Sequence, residues 1–203
     1  MIYTVGHSTL EIPEFLKVVA DLTTIWDIRS HPGSIHPQFN KEAMETWLPQ
    51  NGKEYIWEPR LGGWRDVHIS LAEKFEPYGV NVKAYSGRKF PKQQIAASRT
   101  DREPSWTNVG LYEYSFFMML PEFHDAAAEL VERGKKENVG ICCAECLWWK
   151  CHRSMVADYL YFNGVEAIHL QPKLTFHPKV IGNRIERYHP AILENWASNR
   201  ITH

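Results

Sequence analysis

The residues from Asn138 to Phe162 hold the densest chemistry in the chain: an apolar run, Val139 to Cys143, then the loop Ala144-Glu145-Cys146-Leu147-Trp148-Trp149-Lys150-Cys151-His152-Arg153, then a helical pattern from Ser154 onward. A carboxylate, thiols, an imidazole and a guanidinium thus lie between a strand and a helix start, where exposed N–H groups favour an anion. Glu145 and Asp27, at the ends of two different strands, read as an acid/base pair, because burial raises one carboxylate while a neighbouring guanidinium lowers another. Arg29 and Arg153 either neutralise them or hold phosphate, with Ser154 in the same first turn. His7 and His152 stand at the same rim as proton-transfer candidates.

The four cysteines, Cys142, Cys143, Cys146 and Cys151, lie within ten residues. Two accounts compete. Cys143, Cys146, Cys151 and His152 have the donor types of a tetrahedral zinc site. A metal knuckle normally draws on a second, distant ligand pair, however, and none is evident, so the expectation is no metal and no cofactor. Alternatively, a cysteine at a helix N-terminus beside Arg153 has a depressed pKa and serves as a nucleophile or persulfide carrier. The loop is similar to those of rhodaneses and cysteine phosphatases, but Cys146 to Arg153 spans one residue more than their Cys-x5-Arg spacing. Cys142, inside the strand, reads as a small buried hydrophobe.

These groups must be held by regular elements. Ile2 to Val5 reads as a short buried strand ending in Gly6-His7-Ser8-Thr9, a turn able to cap the next helix. Ile12, Phe15, Leu16 and Val19 form the apolar stripe of that helix, with Pro13 in its first turn. Thr23 to Ile28 returns to strand, which makes a βαβ unit with a parallel pair. A second helix turns Ala43, Met44, Trp47 and Leu48 inward, and Lys53 to Trp57 is the third strand. Asp66 to Thr107 has weak periodicity and reads as a long insertion, with a short helix near Ser70 to Phe75. Gly110 to Met119 is aromatic and apolar, and Pro121 opens a helix with Phe123, Ala127, Leu130 and Val131 on one face. Asn163-Gly164 stops the helix after the cysteine loop. Val165 to Leu170 is a further strand. The extension from 171 to 203 has weak strand character at Lys179 to Ile181 and a helix around Ala191 to Ala197.

The expected fold is a single α/β domain over residues 1–203: a mostly parallel sheet flanked by helices, Rossmann-like and three-layered, with the insertion after the third strand. In such a sheet, ligands sit beyond the carboxyl ends of the strands, and the polar clusters obey that rule. A formal charge of −1 and a pI near 6.8 give no reason to expect tight nonspecific binding to duplex nucleic acid. No run approaches a membrane span. The N-terminus enters a strand at once without a signal pattern, and the clustered cysteines are unlike a secreted disulfide framework, so a reduced cytoplasmic setting is expected. The 8 Trp, 9 Tyr and 9 Phe exceed what a modest core asks for and suggest a pocket that stacks on flat ligands.

Several motifs, taken together, resemble the family catalogued as domain of unknown function 488. They are Tyr3-Thr4-Val5-Gly6-His7-Ser8, Asp27-Ile28-Arg29-Ser30, Pro37-Gln38-Phe39-Asn40, Leu61-Gly62-Gly63, the stretch from Trp106-Thr107-Asn108 to Tyr114 before Pro121-Glu122-Phe123, and Cys143-Ala144-Glu145 with Cys151-His152-Arg153-Ser154. The resemblance implies a compact α/β domain. It carries over His7, Asp27, Arg29, Asn40, Gly62, Gly63, Cys143, Glu145, His152 and Arg153 as a shared site, without a settled reaction. Cys142 and Cys146 lie outside the family pattern.

The leading functional expectation is an enzyme acting on a nucleobase, nucleoside or nucleic acid by glycosylase-like hydrolysis at a sugar-linked bond. Asp27 and Glu145 would position or activate water, and Arg29, Arg153 and the helix N-terminus would hold phosphate. Trp64, Trp106, Tyr112, Tyr114 and Trp148 would stack on a base while Asn40 and Asn108 read its edge, with Gly62 and Gly63 also placed among the substrate-binding residues. A cysteine-based sulfur-transfer or redox enzyme, and a noncatalytic nucleotide or nucleic-acid binding module, are the other two readings.

Overall fold

The computed structural model describes residues 1–63, 109–177, 185 and 187–202. Among the described residues one sheet is formed by β1 (Ile2–Gly6), β2 (Thr24–Asp27), β3 (Glu54–Trp57), β4 (Val139–Cys143), β5 (Ala167–His169) and β6 (Thr175–Phe176), in the order β3-β2-β4-β1-β5-β6. All neighbours run parallel except β6, which returns antiparallel to β5. Helices α1 (Ile12–Val18), α2 (Lys41–Gln50), α3 (Val109–Phe117), α4 (Pro121–Gly134), α5 (Arg153–Phe162) and α6 (Pro190–Ser198) complete the elements that position the site. This is the expected α/β fold, and 66–107, read as the insertion, falls in the chain between β3 and α3, outside the described residues.

The central strands are apolar on both sides, as a parallel sheet covered by helices on each face requires. Trp26, Ile28 and Ile141 join Phe123, Leu130, Met155 and Tyr159 in one core. Ile25, Val5 and Cys142 join Phe15, Phe39, Met44 and Leu48 in another. Because successive strand side chains point to opposite faces, these two lists place α1 and α2 on one side and α3 to α6 on the other. The apolar spacings read from α2 and α4 are realised: Met44, Trp47 and Leu48 are buried, and so are Phe123, Ala127, Leu130 and Val131.

Several local features differ from the reading of the sequence. The cap of α1 is not Gly6 to Thr9 but Glu11, in a reciprocal capping box with Glu14. Gly110 to Met119, read only as an aromatic and apolar stretch without an amphipathic period, forms most of α3. Strand β6 was not anticipated, since two residues carry no period. At the other end of the cysteine segment, α5 stops as expected, with Asn163 as cap and Gly164 at φ 79°. The helix read near Ser70 to Phe75 and the strand read at Lys179 to Ile181 lie outside the described residues. No helix among the described residues is long and apolar enough to cross a membrane.

Candidate functional site

The carboxyl ends of β1, β2 and β4 lie side by side, because β4 is inserted between the other two. Beyond them the backbones continue in contact: His7 N–H donates to the Cys143 carbonyl at 3.0 Å and Ser8 N–H to that of Ala144 at 2.9 Å. Ser8 adopts φ 46°, the left-handed region, at this turn. The closeness needs glycine at position 6, where a Cβ would stand 1.9 Å from the Glu145 carbonyl oxygen. Arg153, buried at the start of α5, donates through Nη2 to that same carbonyl and so ties the loop to the helix.

Cys143 at the end of β4, Cys151 after a 3₁₀ turn (Trp148–Lys150) and the cap residue His152 are brought together, with their Sγ and ring-nitrogen atoms all within 4.8 Å of one another. His152 Nε2 lies 3.2 Å from the Ile28 carbonyl, which can only accept, so Nε2 carries the hydrogen. Nδ1 consequently faces the sulfurs, 3.6 Å from Cys151 Sγ and 3.9 Å from Cys143 Sγ. The ring is held on two sides: a Cβ on Gly63 would be 2.4 Å from its Cγ and Nδ1, and the Tyr114 ring meets it edge-on with centroids 5.2 Å apart. The Arg153 Nε–H donates to Cys151 Sγ at 3.4 Å.

Burial opposes ionisation of Cys151, but a hydrogen bond from the Cys143 thiol, the adjacent His152 ring and the positive charge of Arg153 outweigh it, holding the thiol well below the usual range. The same hydrogen bond, with burial, holds Cys143 well above it. Cys151 is 5 % exposed, whereas Cys143 is partly open to solvent. Cys142 points the other way, into the apolar layer, where burial pushes its thiol up to about 12.

A second buried cluster lies beside this one. Asp27, fully buried, accepts from the Arg29 backbone N–H at 3.1 Å, from Arg29 Nε at 2.8 Å and Nη2 at 2.5 Å, and from the Tyr55 hydroxyl at 2.7 Å. Both of its oxygens are therefore occupied. Arg29 Nη1 also donates to His7 Nε2 at 3.2 Å, while His7 Nδ1 donates to the Ser8 carbonyl at 3.1 Å. Burial and the Arg29 charge push His7 down to about 4, so the ring, stacked on Phe39 at 4.4 Å, stays neutral. His7, Asp27 and Arg29 form one closed network that supports the rim.

The remaining expected site residues divide between support and exposure. Glu145 is exposed, with Oε1 accepting from the Leu147 backbone N–H at 2.9 Å, and no hydrogen bond joins it to Asp27. Asn40 Oδ1 accepts from Ser34 N–H at 2.7 Å and shapes the loop before α2. Gly62 packs on Ser30, where a Cβ would be 2.4 Å from Oγ, so the two glycines serve close packing. Ser154 Oγ donates to the Cys151 carbonyl at 2.9 Å. Tyr114, 1 % exposed, donates to the Leu61 carbonyl at 2.8 Å. Trp148 lies flat on His169 at 3.9 Å, and it is Trp149 that is exposed. Trp64, Trp106, Asn108 and the side chain of Tyr112 lie outside the described residues. Cys146 stands apart from the three grouped side chains.

The sequence reading missed the chain of buried groups beneath Trp148. Thr4 Oγ1 meets His169 Nδ1 at 2.7 Å, His169 Nε2 meets His177 Nδ1 at 2.9 Å, and His177 Nε2 meets Asp158 Oδ1 at 3.0 Å. Arg187 and Tyr188 both donate to Asp158 Oδ2 at 2.8 Å. The available signal was Asp158, a carboxylate on the otherwise apolar face of α5, which must find partners when buried.

Fold and site together define an α/β protein with a Cys/Cys/His cluster beside an arginine, at the carboxyl edge of a mostly parallel sheet. The model of the family described as "Domain of unknown function DUF488" matches residues 14–89 and 90–160, and the chain belongs to that family. Among curated proteins, Ankyrin-3 of Homo sapiens is similar, 26% identical over 117 residues that make up 58% of this chain and 2% of that protein. The chain thus spans a very small part of that relative's length. No solved structure matches.

Proposed function

We propose that the chain is a hydrolase of a nucleobase, nucleoside or nucleic acid, glycosylase-like in the bond it breaks, with Cys143, Cys151, His152 and Arg153 as its centre. The observation that carries this reading is the convergence of two sulfurs and one imidazole nitrogen on a single point beside a buried guanidinium, at the sheet edge where ligands of such folds bind. Glu145, two residues beyond Cys143, is the carboxylate suited to take a proton from water, because it is exposed and only its Oε1 is engaged by the loop. Asp27 holds Arg29 instead of acting on water. Trp149, 43% exposed on the same loop, offers a face on which a base could stack.

The test is incubation with ordinary and modified nucleosides and with oligonucleotides, followed by mass spectrometry for free base. The expected result is a product whose rate falls about 10²–10⁴-fold in Glu145→Gln. No product from any substrate, or a Glu145→Gln variant indistinguishable from the parent, overturns it. Thiol chemistry is the second reading, favoured by the N–H that Arg153 directs at Cys151 Sγ. Rapid alkylation of Cys151 by iodoacetamide near neutral pH without any hydrolysis would select it.

A further inference from the structure

We infer that Cys143, Cys151 and His152 bind one thiophilic divalent cation of the Zn²⁺ type, with a fourth coordination position left for water. The inference deepens the hydrolytic reading above, since it names the ion at which that water is activated.

Geometry supports the assignment first. Zinc binds sulfur at about 2.3 Å and imidazole nitrogen at about 2.0–2.1 Å, so tetrahedral angles put the two donors about 3.6 Å apart. The Nδ1 to Sγ separations of 3.6 Å and 3.9 Å agree with that spacing before any ion is added. Two sulfurs and one nitrogen select a soft or borderline ion and disfavour magnesium or calcium, which take oxygen.

The imidazole is also prepared as metal-ligating histidines are. Its Nε2–H is committed to a backbone carbonyl, which fixes the tautomer that leaves the Nδ1 lone pair free for a metal. Gly63 and Tyr114 block the ring from turning away. Two thiolates and a divalent ion sum to zero charge, which lowers the cost of a site this buried, and the Arg153 N–H to Cys151 Sγ resembles the hydrogen bonds that support metal thiolates. Structural zinc sites close with four protein ligands, while catalytic ones keep three and an open position. Among the described residues the group comprises these three alone, and Cys143, the partly exposed member, marks the side from which solvent enters.

The experiment measures metal per chain in the purified full-length protein, then removes it and titrates Zn²⁺ and Co²⁺. The expected result is one Zn²⁺ per chain, and a Co²⁺ form with sulfur-to-cobalt charge-transfer absorption and the visible bands of tetrahedral cobalt. Cys143→Ser and Cys151→Ser each weaken binding at least about 10-fold, while Cys146→Ser does not. Should either serine variant fail to fold, alkylation of the parent protein read by mass spectrometry replaces it: Zn²⁺ protects Cys143 and Cys151 and leaves Cys146 unprotected. Less than a tenth of an equivalent of metal after loading, octahedral cobalt, or equal effects at Cys146 and Cys143 overturn the inference. Hydrolysis without metal overturns the ion alone, and a bound ion without turnover on any nucleobase substrate overturns the hydrolytic reading alone.

Discussion

Replacing Asp27 with leucine separates a supporting role from a catalytic one. The carboxylate is fully buried and takes three N–H bonds from Arg29 and one O–H bond from Tyr55, while Arg29 is 5% exposed. Removing one partner of a buried ion pair leaves the other charge uncompensated and costs about 3–5 kcal/mol. For a chain of this size, each kcal/mol shifts Tm by about 2–4 °C, so the expected fall is roughly 6–20 °C. The double variant Asp27→Leu/Arg29→Met removes the stranded guanidinium and should regain much of this loss. Recovery stays about 1–3 kcal/mol short because Tyr55 and His7 each lose a partner. Urea titrations at one pH of the parent, Asp27→Leu, Arg29→Met and the double variant give the cycle. A single variant that loses less than about 1 kcal/mol, or a double variant no more stable than the single, would refute the buried-pair argument. A catalytic Asp27 would behave in the opposite way, with near-native stability in Asp27→Asn and turnover abolished.

Two further outcomes follow from the same geometry. Gly63→Ala places a methyl group 2.4 Å from the His152 ring, so the imidazole must shift. Overpacking should cost about 1–3 kcal/mol in urea titration, and any function of the Cys143/Cys151/His152 cluster should suffer more than stability does. His7 is held neutral in the fold, down to about 4, whereas an unfolded histidine protonates near 6.5. Between those values the unfolded chain binds the additional proton, so stability falls as pH is lowered through the window and is fully present above it. The urea midpoint of the parent protein should decline from pH 6.5 to 4, and His7→Gln should flatten that decline; equal slopes would count against the neutral ring.

Much of the scaffold could be read directly from residue spacing, since α1, α2 and α4 each show an apolar stripe and the buried strands show continuous apolar runs. Elements without a period escaped: α3, which has no single apolar stripe, and β6, two residues long. At the site, Cys143, His152 and Arg153 were found because thiols, imidazole and guanidinium in one short loop are seldom only filler. Of the two readings of Asp27, acid/base partner of Glu145 or ion pair with Arg29, the structure displays the pairing, with a near neighbour in sequence. Arg29 folds back on Asp27, as Arg60 does on Glu58 with N–H bonds of 3.0, 2.8 and 2.7 Å. An acid two residues before an arginine at a strand end is therefore a local clasp, a pattern visible in both segments. Separating Cys146 from the other cysteines required the three-dimensional path of the loop, which no spacing rule supplies.

The place of β4 has a bearing on how the molecule is made. Val139 is in register with Ile2 on one side and with Thr24 on the other, so the first two strands never touch each other and wait for a third that is synthesised long after them. A nascent chain that has emerged only through α2 holds two strands with unfilled edges, a state prone to wrong pairing. When β4 enters between them it joins the two strands and sets Cys143 at the sheet edge, ahead of Cys151 and His152 in the chain. The joining of β1 to β2 and the placement of Cys143 thus depend on one strand, so a ribosome-bound fragment ending before residue 139 should lack both.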